Sequence, residues 1–136
     1  MALRGAVAGA VAAAVWQGCD PLLKRTFGTP YVDAELVGPF ITRGPLQPLV
    51  NLATHTAAGA CFGHLFERLG GRGVRQGVTA ALVENTLLWP GMAVLDRIHP
   101  SVRDGTWPPL VANPRAFASA TAGHALFGAL LGLLVR

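Results

Sequence analysis

Four apolar segments, about Leu3 to Leu23, Pro48 to Leu69, Val74 to Leu95 and Ala116 to Val135, make up most of this chain. Each is close to the ~20 residues an α-helix needs to cross the hydrocarbon core of a bilayer. In that solvent the backbone has no water to bond, so such segments close their hydrogen bonds internally as helices. Composition agrees. Of 136 residues 51% are hydrophobic and 13% charged, and the mean hydropathy is +0.43, which leaves too little polar surface for a water-soluble domain of this length. Seventeen glycines, together with alanine-rich runs such as Ala6 to Val15, weaken helices in water but suit membrane helices that pack closely. The expected fold is all-α: a polytopic membrane protein forming a single domain over residues 1–136, with four transmembrane helices in two tandem helical hairpins.

The connections support this plan. Gly70, Gly71, Arg72 and Gly73 join the second and third segments so tightly that the two are expected to be antiparallel neighbours. The connections Lys24 to Gln47 and Asp96 to Arg115 are longer and proline-rich, and read as irregular caps. Arg4 before an apolar run with Ala12 and Ala14 also fits the outline of a secretory signal, but Trp16 to Leu23 continues the apolar character. Cys19 and Cys61 are too few for a disulfide framework and lack zinc-ligand spacing; both read as packing residues. The net charge of +4 is spread in small groups, with no basic tract of the kind that binds nucleic acid.

Basic residues number five on the side of Arg4, Arg68, Arg72, Arg75 and Arg136 and six on the other, so the plain count does not orient the chain. The first group sits on very short segments with Glu67 as its one acid, which predicts cytoplasmic termini. Trp16, Trp89 and Trp107 then fall toward the outer interface.

An internal repeat is visible when Ala14 to Gly18 is laid on Leu87 to Gly91, an offset of 73 that superposes Trp16 and Trp89. At an offset of 69, His55, Gly59 and Gly63 fall on His124, Gly128 and Gly132. Two hairpins of the same direction follow, approximately residues 1–70 and 74–136. Each His-x-x-x-Gly-x-x-x-Gly run places an imidazole and two glycines on one helical stripe. The glycines Gly59, Gly63, Gly128 and Gly132 are therefore helix-packing candidates.

Glu84 lies near the middle of the third segment, beside Asn85 and on a stripe with Gly77, Ala81, Leu88 and Gly91. A carboxylate at that depth costs several kcal/mol unless paired, hydrated or protonated, which makes it a functional candidate. The rise of a helix brings His55, Glu84 and His124 to similar depths, so the expected intramembrane polar cluster is His55, Glu84, Asn85 and His124. The alternative is structural: His55, His64 and His124 bond Thr54, Thr121 or Asn85 across helices and fix their packing. There is no partnered hydroxyl nucleophile, no phosphate-cradling glycine loop and no catalytic signature, so the chain does not read as an enzyme.

Gly5 to Gly9 opening an N-terminal helix, Thr54-His55, the helix from Gly77 to Pro90 and Gly123-His124 together resemble the YagU-like family of small bacterial inner-membrane proteins. The resemblance implies a multi-pass protein of the bacterial inner membrane and a four-helix bundle. It implies no reaction, since that family has no established biochemical activity. The family carries a His a few residues before the proline of its third helix; Asn85 stands there in this chain, with Glu84 adjacent.

Three functions remain open. The first is a proton-sensitive role in small-scale transport, permeation or stress response through the His/Glu cluster, with no cofactor. The second is a module in which His55 and His124 ligate haem, or a metal of unidentified kind, from opposite sides. The third is a structural subunit that docks another membrane protein or a second copy of itself within the bilayer.

Overall fold

Proline and glycine set most of the helix limits. The computed structural model describes residues 2–136, and the following helices lie among them. α1 spans Ala2–Gly18 and α2 spans Asp20–Phe27; the two are bent by 51° at Cys19, with Pro21 in the first turn of α2. Gly28, at φ 60°, ends α2 in the left-handed conformation that glycine tolerates best. The short helix α3, Gly38–Ile41, leads to α4, Gln47–Arg68, whose first turn contains Pro48. α5 runs from Gly73 to Leu88 and continues through a 3-10 turn at Trp89–Gly91 into α6, Met92–Ile98. α7, Pro100–Arg103, precedes α8, Pro114–Leu134. Asn113 caps α8 by accepting hydrogen bonds from the Arg115 and Ala116 N–H groups.

The described residues contain no strand, in line with the expected all-α class. Of the four expected spans, fewer qualify clearly by length and apolarity among the described residues. Two helical stretches, Gly73–Ile98 and Pro114–Leu134, are long and apolar enough to cross a membrane, and Leu3–Gly18 with Asp20–Phe27 makes a third if the bent pair is one span. At 22 residues α4 is long enough, ~33 Å, but Asn51, Thr54, His55, Thr56 and His64 leave it less apolar than those two.

Burial is arranged inside out relative to a water-soluble bundle. α1 buries Ala8, Ala12 and Ala13 and exposes Val7, Val11 and Val15. α4 buries Asn51, His55, Gly59 and Gly63 along one stripe and exposes Leu49, Leu52, Leu65 and Leu69. α5 buries Gly77, Ala81 and Asn85 and exposes Val83, Leu87 and Leu88. Small and polar residues inside with large apolar residues outside is the distribution lipid selects, because burying Leu against protein gains little when the solvent is itself hydrocarbon.

Helix contacts follow the small residues. α1 packs along α4, α5 packs along α8, and α1 and α8 meet between the two pairs. A Cβ on Gly9 would strike the Gly59 carbonyl, and one on Gly63 the Gly5 carbonyl. In the other half a Cβ on Gly77 would strike the Gly128 carbonyl, and one on Gly132 the Gly73 carbonyl. Gly5 and Gly9 thus occupy the places of Gly73 and Gly77, an offset of 68 (73 − 5 and 77 − 9) rather than the 73 obtained by superposing Trp16 on Trp89. The second helices keep 69 (128 − 59 and 132 − 63), so one nearly constant spacing relates the contacts of both halves.

α4 and α5 are not packed neighbours, although four residues connect them. They diverge from the turn and leave an open groove of about 1000 Å³, walled by Phe62, Leu65 and Phe66 of α4 and Thr79, Val83 and Leu87 of α5. Sequence proximity predicted contact here, but the glycines commit α4 to α1 and α5 to α8.

The proline-rich connections form an ordered cap with its own apolar core of Tyr31, Val32, Trp89, Met92, Trp107 and Leu110. Asp96 accepts from the Leu110 and Val111 N–H groups at 2.5 and 3.0 Å, and Trp89 Nε1 donates to the Val111 carbonyl. The Arg43 guanidinium pairs with Asp104 and, with Thr106, holds that carboxyl at about 2. His99 is fully buried, stacked on Trp107 at 4.5 Å with an interplanar angle of 4°. Its Nδ1 accepts from the Ser101 N–H, which leaves Nε2–H to donate to the Glu35 carbonyl at 3.2 Å. His99 carried no weight as a loop residue in the sequence, yet it joins the two connections.

Two outcomes follow. Replacing Gly9 or Gly128 with Leu is expected to separate the paired helices and cost at least ~1–3 kcal/mol by overpacking, read as a lower thermal midpoint in detergent. Burial pushes the His99 pKa below its usual value, so the unfolded cap binds more protons below pH ~6.5. Cap stability is therefore expected to fall as pH drops through that range, seen as smaller amide-exchange protection factors at Ser101 and Val102 once the intrinsic pH dependence of exchange is divided out, and His99→Ala should remove this pH dependence.

Candidate functional site

The inward stripe of α4 brings His55 to the level at which α8 presents His124, and α1 inserts Trp16 between them. The indole lies edge-on to both imidazoles, with ring centroids 4.9 Å from His55 and 4.8 Å from His124. Gly123 makes this possible, because a Cβ there would overlap the Trp16 ring. Phe127 packs against Trp16 from below and meets Phe62 of α4. Trp16 is only 4% exposed; it is a core wedge, not the interfacial anchor expected of it.

Glu84 comes from α5 and meets His124, with Oε2 2.9 Å from Nε2. The stripe that α5 buries is Gly77, Ala81 and Asn85. Glu84 therefore sits one position to the side of it, at the edge of the α4–α5 groove. His124 Nδ1 lies 2.8 Å from the Ala120 carbonyl. A carbonyl only accepts, so Nδ1 carries hydrogen and the tautomer is set. The contact between Nε2 and Glu84 then holds one proton in either of two arrangements, imidazolium with carboxylate or neutral imidazole with carboxylic acid. Both are neutral overall. A second proton leaves a net positive charge among apolar side chains, and removal of the shared one leaves a net negative charge with two lone pairs facing.

A cleft of about 80 Å³ adjoins the pair, lined by Trp16, His55, Gly59, Phe62, Glu84, His124 and, from the cap side, Asp33. Asp33 itself accepts from the Tyr31 hydroxyl at 2.7 Å. His55 Nε2 is buried without a hydrogen-bond partner, as are Gln17 Oε1 and Asn51 Oδ1. Unpaired buried polar atoms are costly, and three on the facing stripes of α1 and α4 mark this half as the less satisfied one.

The residues singled out in the sequence divide into two groups. His55, Glu84 and His124 share the cleft. Asn85 turns away from it and donates to the Thr121 hydroxyl at 3.1 Å, joining α5 to α8; this is the structural bond expected of a His/Thr/Asn set, made by Asn85 rather than a histidine. Thr54 bonds carbonyls of its own helix. Gly59, Gly63, Gly128 and Gly132 are all helix contacts. Cys61 is exposed and so does not pack inside the bundle, whereas Cys19 is half-buried at the α1–α2 bend. Trp16, Asp33 and Gly123 were absent from the sequence-based cluster. Gly123 beside His124 was the available signal, and the spacing of Gly5 and Gly9 from Gly73 and Gly77 would have placed Trp16 opposite Glu84 (84 − 16 = 68).

Among the described residues no group of three or more His, Cys, Asp or Glu side chains is arranged to hold a metal ion. The Trp16 indole packs edge-on against both His55 and His124, the two imidazoles expected to face a cofactor. No family model, curated protein or solved structure matches the chain.

Gly123→Ala is expected to displace Trp16 and destabilise the bundle by ~1–3 kcal/mol. The companion Trp16→Ala should relieve that clash, so the double variant falls short of the sum of the two single costs, as measured by thermal unfolding in detergent.

Proposed function

We propose that this chain is a multi-pass protein of the bacterial inner membrane, crossing four times, whose Glu84–His124 pair takes up and releases protons in a small transport or permeation role without enzymatic chemistry. The observation that carries the reading is the 2.9 Å contact of Glu84 with His124 at the edge of an intramembrane cleft, with the other imidazole nitrogen committed to Ala120. An ionisable pair at that depth is costly to keep unless fully satisfied, which makes it a functional candidate by default. α4 acts as the fourth span: its polar side faces α1 and the cleft, and its leucines face lipid. The resemblance to the YagU-like family agrees with this location. Asp33 and His55 give the cleft a polar wall on the cap side, while Glu84 also borders the groove that opens to lipid, so a proton arriving at the pair has polar groups on one side and a bilayer-facing gap on the other.

The test is proton flux across vesicles containing the purified protein, read with an entrapped pH-sensitive dye. Wild type is expected to dissipate an imposed gradient faster than Glu84→Gln or His124→Gln by a factor of ~10 or more, the lower end of a typical acid–base contribution. His124 in the wild type should also change its imidazole nitrogen chemical shifts with pH, and Glu84→Gln should move that titration. Equal flux in all three proteins, with no His124 titration between pH 5 and 8, would leave the pair as a packing element and refute the proposal.

A further inference from the structure

The end of the bundle opposite the cap gathers basic side chains from three parts of the chain. Arg4 of α1, Arg68 and Arg72 at the α4–α5 turn, and Arg136 after α8 surround a pocket of about 490 Å³. Its one acidic side chain, Glu67, is already engaged, accepting from the Gly5 N–H at 2.7 Å. Among the described residues none of these four guanidinium groups is ion-paired. The pocket adjoins the α4–α5 groove, and Gly71 lines both. A Cβ at Gly71 would run into the Phe66 ring, so the floor between the two is bare backbone over an aromatic ring. Arg75 stands at the basic end of the groove, nine residues (84 − 75) before Glu84, or ~13 Å along the helix. From Arg75 toward Glu84 the walls are almost entirely apolar.

We infer that this continuous surface is a binding site for an anionic phospholipid, with its phosphate headgroup held by Arg68, Arg72 and Arg75 and an acyl chain lying in the groove between α4 and α5. The inference rests on the membrane reading but not on the proton chemistry. Charge decides the occupant. Clustered guanidinium groups at a membrane interface select an anion, and each groove wall presents leucine, valine or phenylalanine to a gap within the span, where acyl chains are the surrounding solvent. A second copy of the chain seated the same way would bring its own arginine cluster against this one and be repelled.

The experiment uses the full chain reconstituted in bilayers containing equal amounts of phosphatidylglycerol and phosphatidylcholine, extracted gently and weighed with its retained lipid by native mass spectrometry. Wild type is expected to retain phosphatidylglycerol in preference to phosphatidylcholine. The triple variant Arg68→Gln, Arg72→Gln, Arg75→Gln should lose that preference by up to ~100-fold, the sum of three interfacial charges. Thr79→Trp, on the exposed groove wall, should lower retention of any lipid while leaving the arginines in place. Flotation of each variant with vesicles, and its helical circular dichroism, establishes that it is inserted and folded. An inserted, folded wild type that retains the two lipids equally, or a triple variant with unchanged preference, overturns the site. If millimolar inorganic phosphate strips the lipid and Thr79→Trp has no effect, the pocket binds phosphate alone and the acyl-chain seat is refuted. Failure of wild type to float would overturn the membrane reading itself.

Discussion

Backbone contact at glycine governs this structure. Where Gly9 meets Gly59 and Gly77 meets Gly128, no side chain separates the helices. The interhelical distance is set by the main chain, and dispersion between closely apposed backbones replaces the hydrophobic effect that would drive a bundle in water. Once α1 is tied to α4 and α5 to α8, the paired faces admit few large side chains beyond Trp16, Phe66, Phe127 and Leu131. Val7, Val11, Val15, Leu65 and Leu87 then point outward, where a bilayer accommodates them.

The same contacts explain the gap between α4 and α5. Each helix has spent its small-residue face on the other member of its pair, so nothing draws the two together beyond the turn that joins them. Their divergence exposes Glu84 at the edge of the groove and leaves a narrow cleft behind it. Trp16 props the centre apart. Its indole separates two imidazoles that occupy equivalent places in the two halves, and the opposing partner in the second half is Glu84. Both histidines meet that aromatic ring, and only the one in the second half also meets an acid.

Much of this was legible in the residues. The His-x-x-x-Gly-x-x-x-Gly runs announced the inward stripes of α4 and α8, and the isolation of Glu84 in an apolar segment marked it as the group to examine. The hydrogen-bonded pair needed coordinates, because spacing along one helix places residues at a depth but says nothing of the rotation of a neighbouring helix. Superposing the tryptophans failed for a related reason: Trp16 and Trp89 are the most conspicuous residues of their segments, yet the glycines make the contacts. The proline-rich connections looked irregular because their order is nonlocal. His99 gains its role only from Glu35, Ser101 and Trp107, which no periodicity links.

By itself the sequence determined a helical chain rich in apolar segments, the small-residue faces along which they pack, and the position of an acid and two histidines at one depth. Composition and helical periodicity are local properties, and they suffice for those statements. The tertiary structure decided which helices pair, that α4 and α5 stand apart, and that Trp16 lies between the histidines. It also decided that Glu84 reaches His124 rather than Asn85 doing so. Those outcomes depend on the relative rotation and separation of helices distant in the chain, which close packing at a few glycines selects and no single segment encodes.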